Sequence, residues 1–127
     1  MNPFMPKTIG MHRQSREVEL TYNDGKAWRL TCEYLRVFSP SAEVRGHGEG
    51  EAILQTGKIN LRAKDVEPVG NYGLKFIFED GHDSGIYTWE YLRELCEHQE
   101  QNWAEYLQQL NDAGASRDPD VSVVRFV

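Results

Sequence analysis

The sequence predicts an α+β fold: an antiparallel sheet built from two related hairpin–helix units, followed by a long amphipathic helix. The first observation is an internal repeat, because residues 20–25 resemble residues 76–81 and the Thr-x-Glu-Tyr-Leu-Arg segment at 31–36 returns at 88–93. The second is a change of hydrophobic period from two to about 3.6 residues near Trp89. Two copies are too few for a solenoid, so we expect one compact domain.

The first unit begins with alternating Val18, Leu20 and Tyr22, the period of a half-buried strand over residues 16–22. The Asn23-Asp24-Gly25 segment predicts a tight turn, because glycine adopts positive φ without strain. Residues 27–30 return as the second strand. Thr31 is suited to cap a short helix over residues 32–36.

Residues 39–57 contain one proline and four glycines among polar side chains, which is typical of a long irregular loop. Short strands are expected at residues 58–63 and 65–70. A further hairpin at residues 73–79 and 84–87 turns at Asp80-Gly81 and completes the second unit.

From Trp89 onward the apolar positions recur at steps of three and four, which predicts a single amphipathic helix of about 36 Å. Thr88 is its expected N-cap and Gly114 its expected end. The chain therefore divides into a flexible arm (1–14), one domain (15–113) and a flexible tail (114–127). The tail ends in the strand-prone residues 121–127.

The chain has 127 residues and a net charge of −6, which disfavours nucleic acid as a partner. The charge is uneven: residues 1–64 carry ten basic and seven acidic residues, and residues 65–127 carry four and thirteen. No apolar run is long enough to span a membrane, and no secretory signal is expected. Cys32 and Cys96 are far apart in sequence, which indicates two core thiols in a reducing, cytoplasmic setting.

Two segments could carry chemistry. In the loop, Arg45 could bind a carboxylate or phosphate, and His47 with Glu49 and Glu51 could hold a metal. The second segment is the acidic turn around His82, whose neighbouring carboxylates predict a raised histidine pKa and a candidate metal ligand. The alternatives are a mobile polar loop and a solvated turn. The candidate ligand- or partner-binding residues are Arg36, Ser39, Ser41, Arg45, His47, Asp80, His82 and Asp83.

Nothing in the sequence pairs a nucleophile with a base. Ser39 and Ser41 lack a strand-to-helix elbow, and no Gly-x-Ser-x-Gly motif occurs. The His-x-Asp pattern of non-haem iron oxygenases does not occur either. We therefore expect that the chain is not an enzyme in its own right.

Three segments resemble a known family: residues 32–48, the Val-Glu-Pro-Val-Gly-Asn-Tyr run at 66–72, and the Asp-Gly-His-Asp-Ser-Gly-Ile-Tyr run at 80–87. Together they are similar to the small bacterial proteins grouped with the N-terminal domain of gamma-butyrobetaine hydroxylase. The resemblance covers residues 14–96. In the hydroxylases this domain precedes a 2-oxoglutarate- and iron-dependent catalytic domain, which we expect this chain to lack.

The resemblance also implies a zinc site made by three cysteines and one histidine. Those positions fall here at Ser39, Ser41, Val44 and His82, so only the histidine is kept. Serine is a poor zinc ligand and valine is none, so we expect the zinc site to be lost.

A similar domain is found at the C-terminus of some P-loop iron–sulfur cluster carriers. We therefore expect a non-catalytic binding module with a protein partner or a small ligand, accessory to iron–sulfur or oxygenase proteins and requiring no cofactor. Its likeliest binding face joins residues 39–50 to the His82 turn, with the acidic helix or residues 121–127 as other docking segments. The alternative is an iron- or zinc-binding protein, or a subunit of a 2-oxoglutarate-dependent oxygenase, with His82 as a metal ligand.

Overall fold

The computed structural model describes residues 2–46, 50 and 52–121, and it confirms the α+β class. Six strands form two three-stranded antiparallel sheets, in the orders β1-β2-β3 and β4-β5-β6. The strands are β1 (Thr8–His12), β2 (Glu17–Thr21), β3 (Ala27–Thr31), β4 (Ala63–Val69), β5 (Gly73–Phe78) and β6 (Ile86–Thr88). The helices are α1 (Cys32–Val37), α2 (Ala42–Arg45), α3 (Trp89–Glu97) and α4 (Gln99–Ala113). No helix in these ranges is long and apolar enough to cross a membrane.

The internal repeat is a structural repeat. Each unit is a three-stranded meander followed directly by a helix, β1-β2-β3-α1 in the first and β4-β5-β6-α3 in the second. Both helices are capped as predicted: the Thr31 hydroxyl accepts from the Tyr34 amide, and the Thr88 hydroxyl accepts from the Tyr91 amide. Gly25 and Gly81 adopt φ of +86° and +88°, which explains why glycine stands at both turns.

Buried side chains of both units form one apolar core between the sheets and the helices. The strand side chains alternate, so that Val18 and Leu20 of β2 and Phe76 and Phe78 of β5 point inward. Leu35 and Leu92, which are equivalent in the repeat, are both fully buried. The core is therefore shared by the two units.

Reciprocal hydrogen bonds join helices α1 and α3. The hydroxyl of Tyr34 donates to the backbone carbonyl of Leu95, and the hydroxyl of Tyr91 donates to that of Phe38. In the repeat Tyr34 is equivalent to Tyr91, and Phe38 to Leu95. The tyrosine of each unit therefore donates to the equivalent carbonyl of the other unit. This reciprocal arrangement is expected of two copies related by an approximate two-fold axis.

Arginine–aspartate pairs repeat the same exchange. Arg36 at the end of α1 pairs with Asp80 in the second unit's turn, with 2.9 Å between Nε and Oδ2. Arg93 of α3 pairs with Asp24 in the first unit's turn, with 3.0 Å between Nη2 and Oδ2. Both arginines are buried, and Arg36, a predicted binding residue, is engaged in an ion pair within the protein.

Three predictions of strand and helix positions are wrong. Residues 8–12, placed in the arm, form strand β1, because Ile9 and Met11 pair with Leu20 and Val18 across the sheet. The predicted helix from 89 to 113 is two helices, because His98 leaves the helical conformation at φ −107° and ψ 21°. No strand spans residues 58–62; β4 begins at Ala63.

The predicted flexible tail also needs correction up to residue 121. Gly114 ends α4 in the left-handed conformation, as expected. The chain then packs back along the irregular segment after α2: the Gly57 amide donates to the Ser116 carbonyl, and the Ile59 amide donates to the Arg117 carbonyl. Residues 122–127 lie outside the described part of the chain.

Candidate functional site

Predicted site residues from two distant parts of the sequence meet at His82. The Ser39 hydroxyl lies 2.8 Å from His82 Nε2, and the Glu43 carboxylate lies 3.1 Å from His82 Nδ1. Ser39 is fully buried and His82 is 5% exposed. Each ring nitrogen therefore has one partner. We assign the proton to Nδ1, which donates to Glu43, so that Nε2 accepts from Ser39.

Ser41 extends this cluster towards the turn. Its hydroxyl caps α2 by accepting from the Glu43 amide and lies 2.7 Å from the hydroxyl of Ser84. A Cβ atom on Gly85 would lie 2.4 Å from Ser39 Oγ, so only glycine allows the turn to approach this closely. We call these five residues the His82 cluster: Ser39, Ser41, Glu43, His82 and Ser84.

The pKa of His82 lies below its ordinary value, not above it as predicted. Burial is the largest cause, followed by the positive charge of Arg36, and both outweigh the attraction of Glu43 and Asp80. The sequence placed two acids beside His82, but Asp80 is engaged by Arg36 and Lys58, and Asp83 is exposed. The ring is therefore neutral at pH 7.

Asp80 holds the turn in place. Its Oδ2 accepts from Arg36 and Lys58, and its Oδ1 accepts from the backbone amide of His82. Burial by itself would raise the pKa of Asp80, but the hydrogen bonds from Lys58 and the His82 amide and the charge of Arg36 lower it. Arg36 Nη1 is buried and has no hydrogen-bond partner among the described residues.

Arg45, which was predicted to bind a carboxylate or phosphate, instead contacts other residues of the protein. Its Nε donates to the Ser39 carbonyl, its Nη2 donates to the Tyr91 hydroxyl, and its guanidinium lies 5.5 Å from the centre of the Phe38 ring. The structure therefore gives Arg45 the role of joining α2 to α3. His47, together with Glu49 and Glu51, lies outside the described residues.

The donors around His82 do not fit a zinc or iron ion. Of the four zinc positions implied by the resemblance, Ser39 and His82 bond to each other, Ser41 bonds to Ser84, and Val44 is an apolar residue of the core. In residues 2–46, 50 and 52–121 no three histidine, cysteine or acidic side chains come together as a metal site. Hydrogen bonds within the cluster engage the hydroxyls of Ser39 and Ser41 and both ring nitrogens of His82.

Both cysteines are free, buried residues of the main core, as predicted. Burial raises the pKa of Cys96 to about 12, and it also raises the pKa of Cys32. Neither thiol is therefore suited to act as a nucleophile.

A groove that sequence analysis missed runs along α4 beside Trp103. It has a volume of about 480 Å³ and lies between the start of α1, the outer face of α4 and the returning tail. Its lining residues are Thr31, Glu33, Tyr34, Gln99, Glu100, Trp103, Ala104, Leu107 and Arg117. We call it the Trp103 groove. The sequence analysis named the acidic helix as a possible docking segment but did not locate a groove on it.

The model of a family described as "Gamma-butyrobetaine hydroxylase-like, N-terminal" matches residues 9–93. An NMR solution structure, 50% identical, matches with a TM-score of 0.81 and covers 96% of both chains. A second one, 42% identical, has a TM-score of 0.76 and covers 100% of this chain and 98% of its own.

A crystal structure from Acidithiobacillus ferrooxidans also matches. It is described as a protein with unknown function of the DUF971 family, and it is 41% identical with a TM-score of 0.62. The match covers 75% of this chain and 97% of that one. No curated protein matches the chain.

Proposed function

Because the chain belongs to the family of gamma-butyrobetaine hydroxylase-like N-terminal domains, whose solved members include a protein with unknown function, we propose that it is a non-catalytic module that binds a partner protein. The observation that carries the proposal is the Trp103 groove, a largely apolar depression on the otherwise polar exposed face of α4. Such grooves typically receive an apolar side chain or an amphipathic segment of a partner.

The floor of the groove is preorganised. Arg117 forms two hydrogen bonds with the buried carboxylate of Glu33, at 2.8 Å and 2.6 Å. Its guanidinium lies 4.9 Å from the centre of the Trp103 ring, which in turn packs edge-on against Tyr34. A partner would meet a surface that needs little further ordering, which lowers the entropic cost of binding.

The apolar contact would come from the outer face of α4. Leu107 is 41% exposed and lies one helical turn from Trp103, with the exposed Ala104 beside it. An isolated exposed leucine is ordinary on a protein surface. Here it continues an aromatic floor, so the two together form a patch with a shape that a partner side chain can fill.

Charge indicates the kind of partner. Residues 89–113, which span α3 and α4, contain six acidic residues and one arginine. That arginine, Arg93, is buried against Asp24 and Glu97. The proposed partner therefore presents an apolar side chain from a basic surface, which would also speed its association with this acidic face.

The His82 cluster is less suited to receive a ligand. Ser39 and Ser41 are buried, and their hydroxyls are already bonded to His82 and Ser84. A ligand would have to break these bonds before forming its own, at a cost for each buried group left unpaired. We assign the cluster a structural role, and with it the predicted binding residues Arg36, Asp80 and Arg45.

A photo-crosslinking experiment tests the proposal. A photoreactive phenylalanine analogue at position 107 should give a discrete crosslinked product in the native cell, and the same residue at Gln108, which is exposed on the neighbouring face, should not. Ala104→Lys, which places a positive charge where a basic partner should dock, should abolish the product from position 107 without changing the thermal unfolding midpoint. Equal products from both positions, or insensitivity to Ala104→Lys, would contradict the proposal.

The finer proposal is that the partner belongs to iron–sulfur or oxygenase metabolism. It is supported by membership of a family named for an oxygenase domain. Mass spectrometry of the product crosslinked at position 107 tests it directly. An iron–sulfur carrier or an oxygenase chain supports it, and an unrelated protein refutes this finer proposal while leaving the groove assignment intact.

The competing proposal of an iron- or zinc-binding protein is decided by metal analysis. With the hydroxyls of Ser39 and Ser41 and both ring nitrogens of His82 engaged in hydrogen bonds, the protein purified from native cells should contain far less than one equivalent of iron or zinc. One equivalent of either metal, lost in His82→Ala, would favour metal binding instead.

A further inference from the structure

A second cavity lies at the junction of the two sheets, away from the Trp103 groove. Its volume is about 310 Å³, and the turn between β1 and β2, the start of α1, the start of β4 and the end of β5 surround it. Its lining residues are Met11, His12, Arg13, Arg16, Glu17, Cys32, Arg62, Ala63, Lys64 and Glu79. We call it the junction cavity. We propose that it binds a small dianion, a metabolite bearing a phosphate group or two carboxylates.

The charge of the lining is the first argument. Four of the lining side chains are cationic and two are carboxylates, in a protein whose net charge is −6. One of the carboxylates, Glu17, is partly neutralised by Arg29, which lies outside the cavity with 3.5 Å between Nη1 and Oε1. The cavity is therefore a local positive site on an acidic molecule, and a concave wall concentrates such a field.

Three of the four cations have no side-chain partner among the described residues and are free to bind a ligand. Among the described residues, Arg16, Arg62 and Lys64 form no ion pair with a carboxylate and no side-chain hydrogen bond. Arginine elsewhere in the chain is mostly engaged: Arg36 and Arg93 each pair with an aspartate. Guanidinium groups offer parallel donors that match phosphate and carboxylate oxygens, which makes them suitable for an oxyanion.

The backbone at Arg16 is the second, independent argument. Arg16 adopts φ of +57°, and it is the one non-glycine residue with positive φ in the described part of the chain. This conformation costs about 1 kcal/mol or more for a side chain with a Cβ atom. The Arg16 carbonyl is fixed by the Cys32 amide at 2.9 Å, which anchors the strained residue at the cavity wall. Strain of this kind is concentrated at binding sites.

The cavity also joins the two units of the repeat. Arg13 Nη1, from the turn of the first unit, donates to the backbone carbonyl of Lys64 in the second. Arg16 and Arg62 likewise come from different units, so that a bound anion would be shared between the two sheets. Small-molecule sites occur preferentially at such junctions, and 310 Å³ is at the lower end of their volumes.

NMR titration tests the proposal. Inorganic phosphate and succinate, each at pH 8 and at constant ionic strength, should cause saturable shifts of the Arg16, Cys32 and Lys64 amides, whereas chloride should not. The stronger of the two probes identifies the class of ligand. Shifts that rise linearly without saturation for both probes, or that spread evenly over the surface, would overturn the proposal.

A matched pair of double variants locates the site. The pocket variant Arg16→Gln/Lys64→Gln should raise the dissociation constant of the better probe at least tenfold. The control Lys7→Gln/Lys26→Gln removes the same charge from exposed positions outside the cavity and should change it less than twofold. Equal weakening by the two variants would show non-specific attraction and refute the site. Arg62→Gln/Lys64→Gln, at two exposed lining positions, gives the same comparison should the Arg16 variant unfold.

Discussion

Replacing Ser39 with alanine removes the donor to a buried histidine. Ser39 is fully buried, and its hydroxyl serves both His82 Nε2 at 2.8 Å and the Ser41 amide at 3.3 Å. A buried polar group left without a partner costs about 1–3 kcal/mol. We therefore expect Ser39→Ala to lower the free energy of unfolding by about 2 kcal/mol, and the unfolding midpoint by roughly 8 °C for a domain of this size.

Urea unfolding of four proteins measures the effect: the parent, Ser39→Ala, His82→Ala and the double variant. The coupling energy between the two sites should be about 1 kcal/mol or more, because each single change leaves the other group unpaired. Ser15→Ala, at an exposed position, is the control and should change stability by less than about 0.5 kcal/mol. A loss below about 0.5 kcal/mol for Ser39→Ala, or additive effects, would refute a structural role for the Ser39–His82 bond.

Three further predictions concern other parts of the fold. Burial lowers the pKa of His82 in the folded state, so the unfolded chain takes up a proton first as the pH falls below about 6.5. The free energy of unfolding should therefore decrease from pH 7.5 towards pH 5.5. In urea unfolding, His82→Gln should flatten this slope, whereas His98→Gln, at an exposed position, should not. Arg93→Ala should lower the free energy of unfolding, measured in urea, by on the order of 2 kcal/mol, because the guanidinium lies 4.6 Å and 4.9 Å from the ring centres of Tyr22 and Trp28. Arg29 is half-exposed, so Arg29→Ala should lower it by less than about 1 kcal/mol. Similar losses for the two variants would contradict the buried stacking role of Arg93. Arg16→Gly should raise the unfolding midpoint, because glycine adopts positive φ without the strain of a Cβ atom, a gain of roughly 0.5–1 kcal/mol. The same variant should weaken dianion binding, since it removes a cation of the junction cavity. A lower midpoint would contradict strain at this residue.

Much of the fold could be predicted because its signals are local. Asp24-Gly25 and Asp80-Gly81 specify turns, and Thr31 and Thr88 specify helix starts, from adjacent residues alone. Strand β1 carries no such signal: its residues are at most half-buried, and it exists because Ile9 pairs with Leu20. The break between α3 and α4 was missed for a related reason, since the apolar period continues across His98 and neither glycine nor proline marks the change.

The site was predicted in part. The sequence predicted a face that joins residues 39–50 to the His82 turn, and the structure does place Ser39 beside His82. The predicted rise in the pKa of His82 was wrong because a sequence shows only neighbours along the chain. Asp80 is next but one to His82 yet is occupied by Arg36, 44 residues away, while the histidine's own carboxylate partner is Glu43, 39 residues away. A pKa depends on such non-local contacts and on burial, neither of which sequence proximity reveals.

Some residues make equivalent contacts in both units of the repeat, and others have no counterpart in the other copy. Arg36 and Arg93 make equivalent contacts in the two copies, so folding alone accounts for both. His82 has no such counterpart, because the first turn continues Gly25-Lys26 where the second continues Gly81-His82. The segment after α1, with Ser39 and α2, is likewise specific to the first unit, since α3 is followed by His98 and α4. Both asymmetric elements meet in the His82 cluster, and α4 itself carries the Trp103 groove. Specialised roles in a duplicated fold should therefore be sought where the copies differ, and mutational scans should concentrate on α2, the His82 turn and α4.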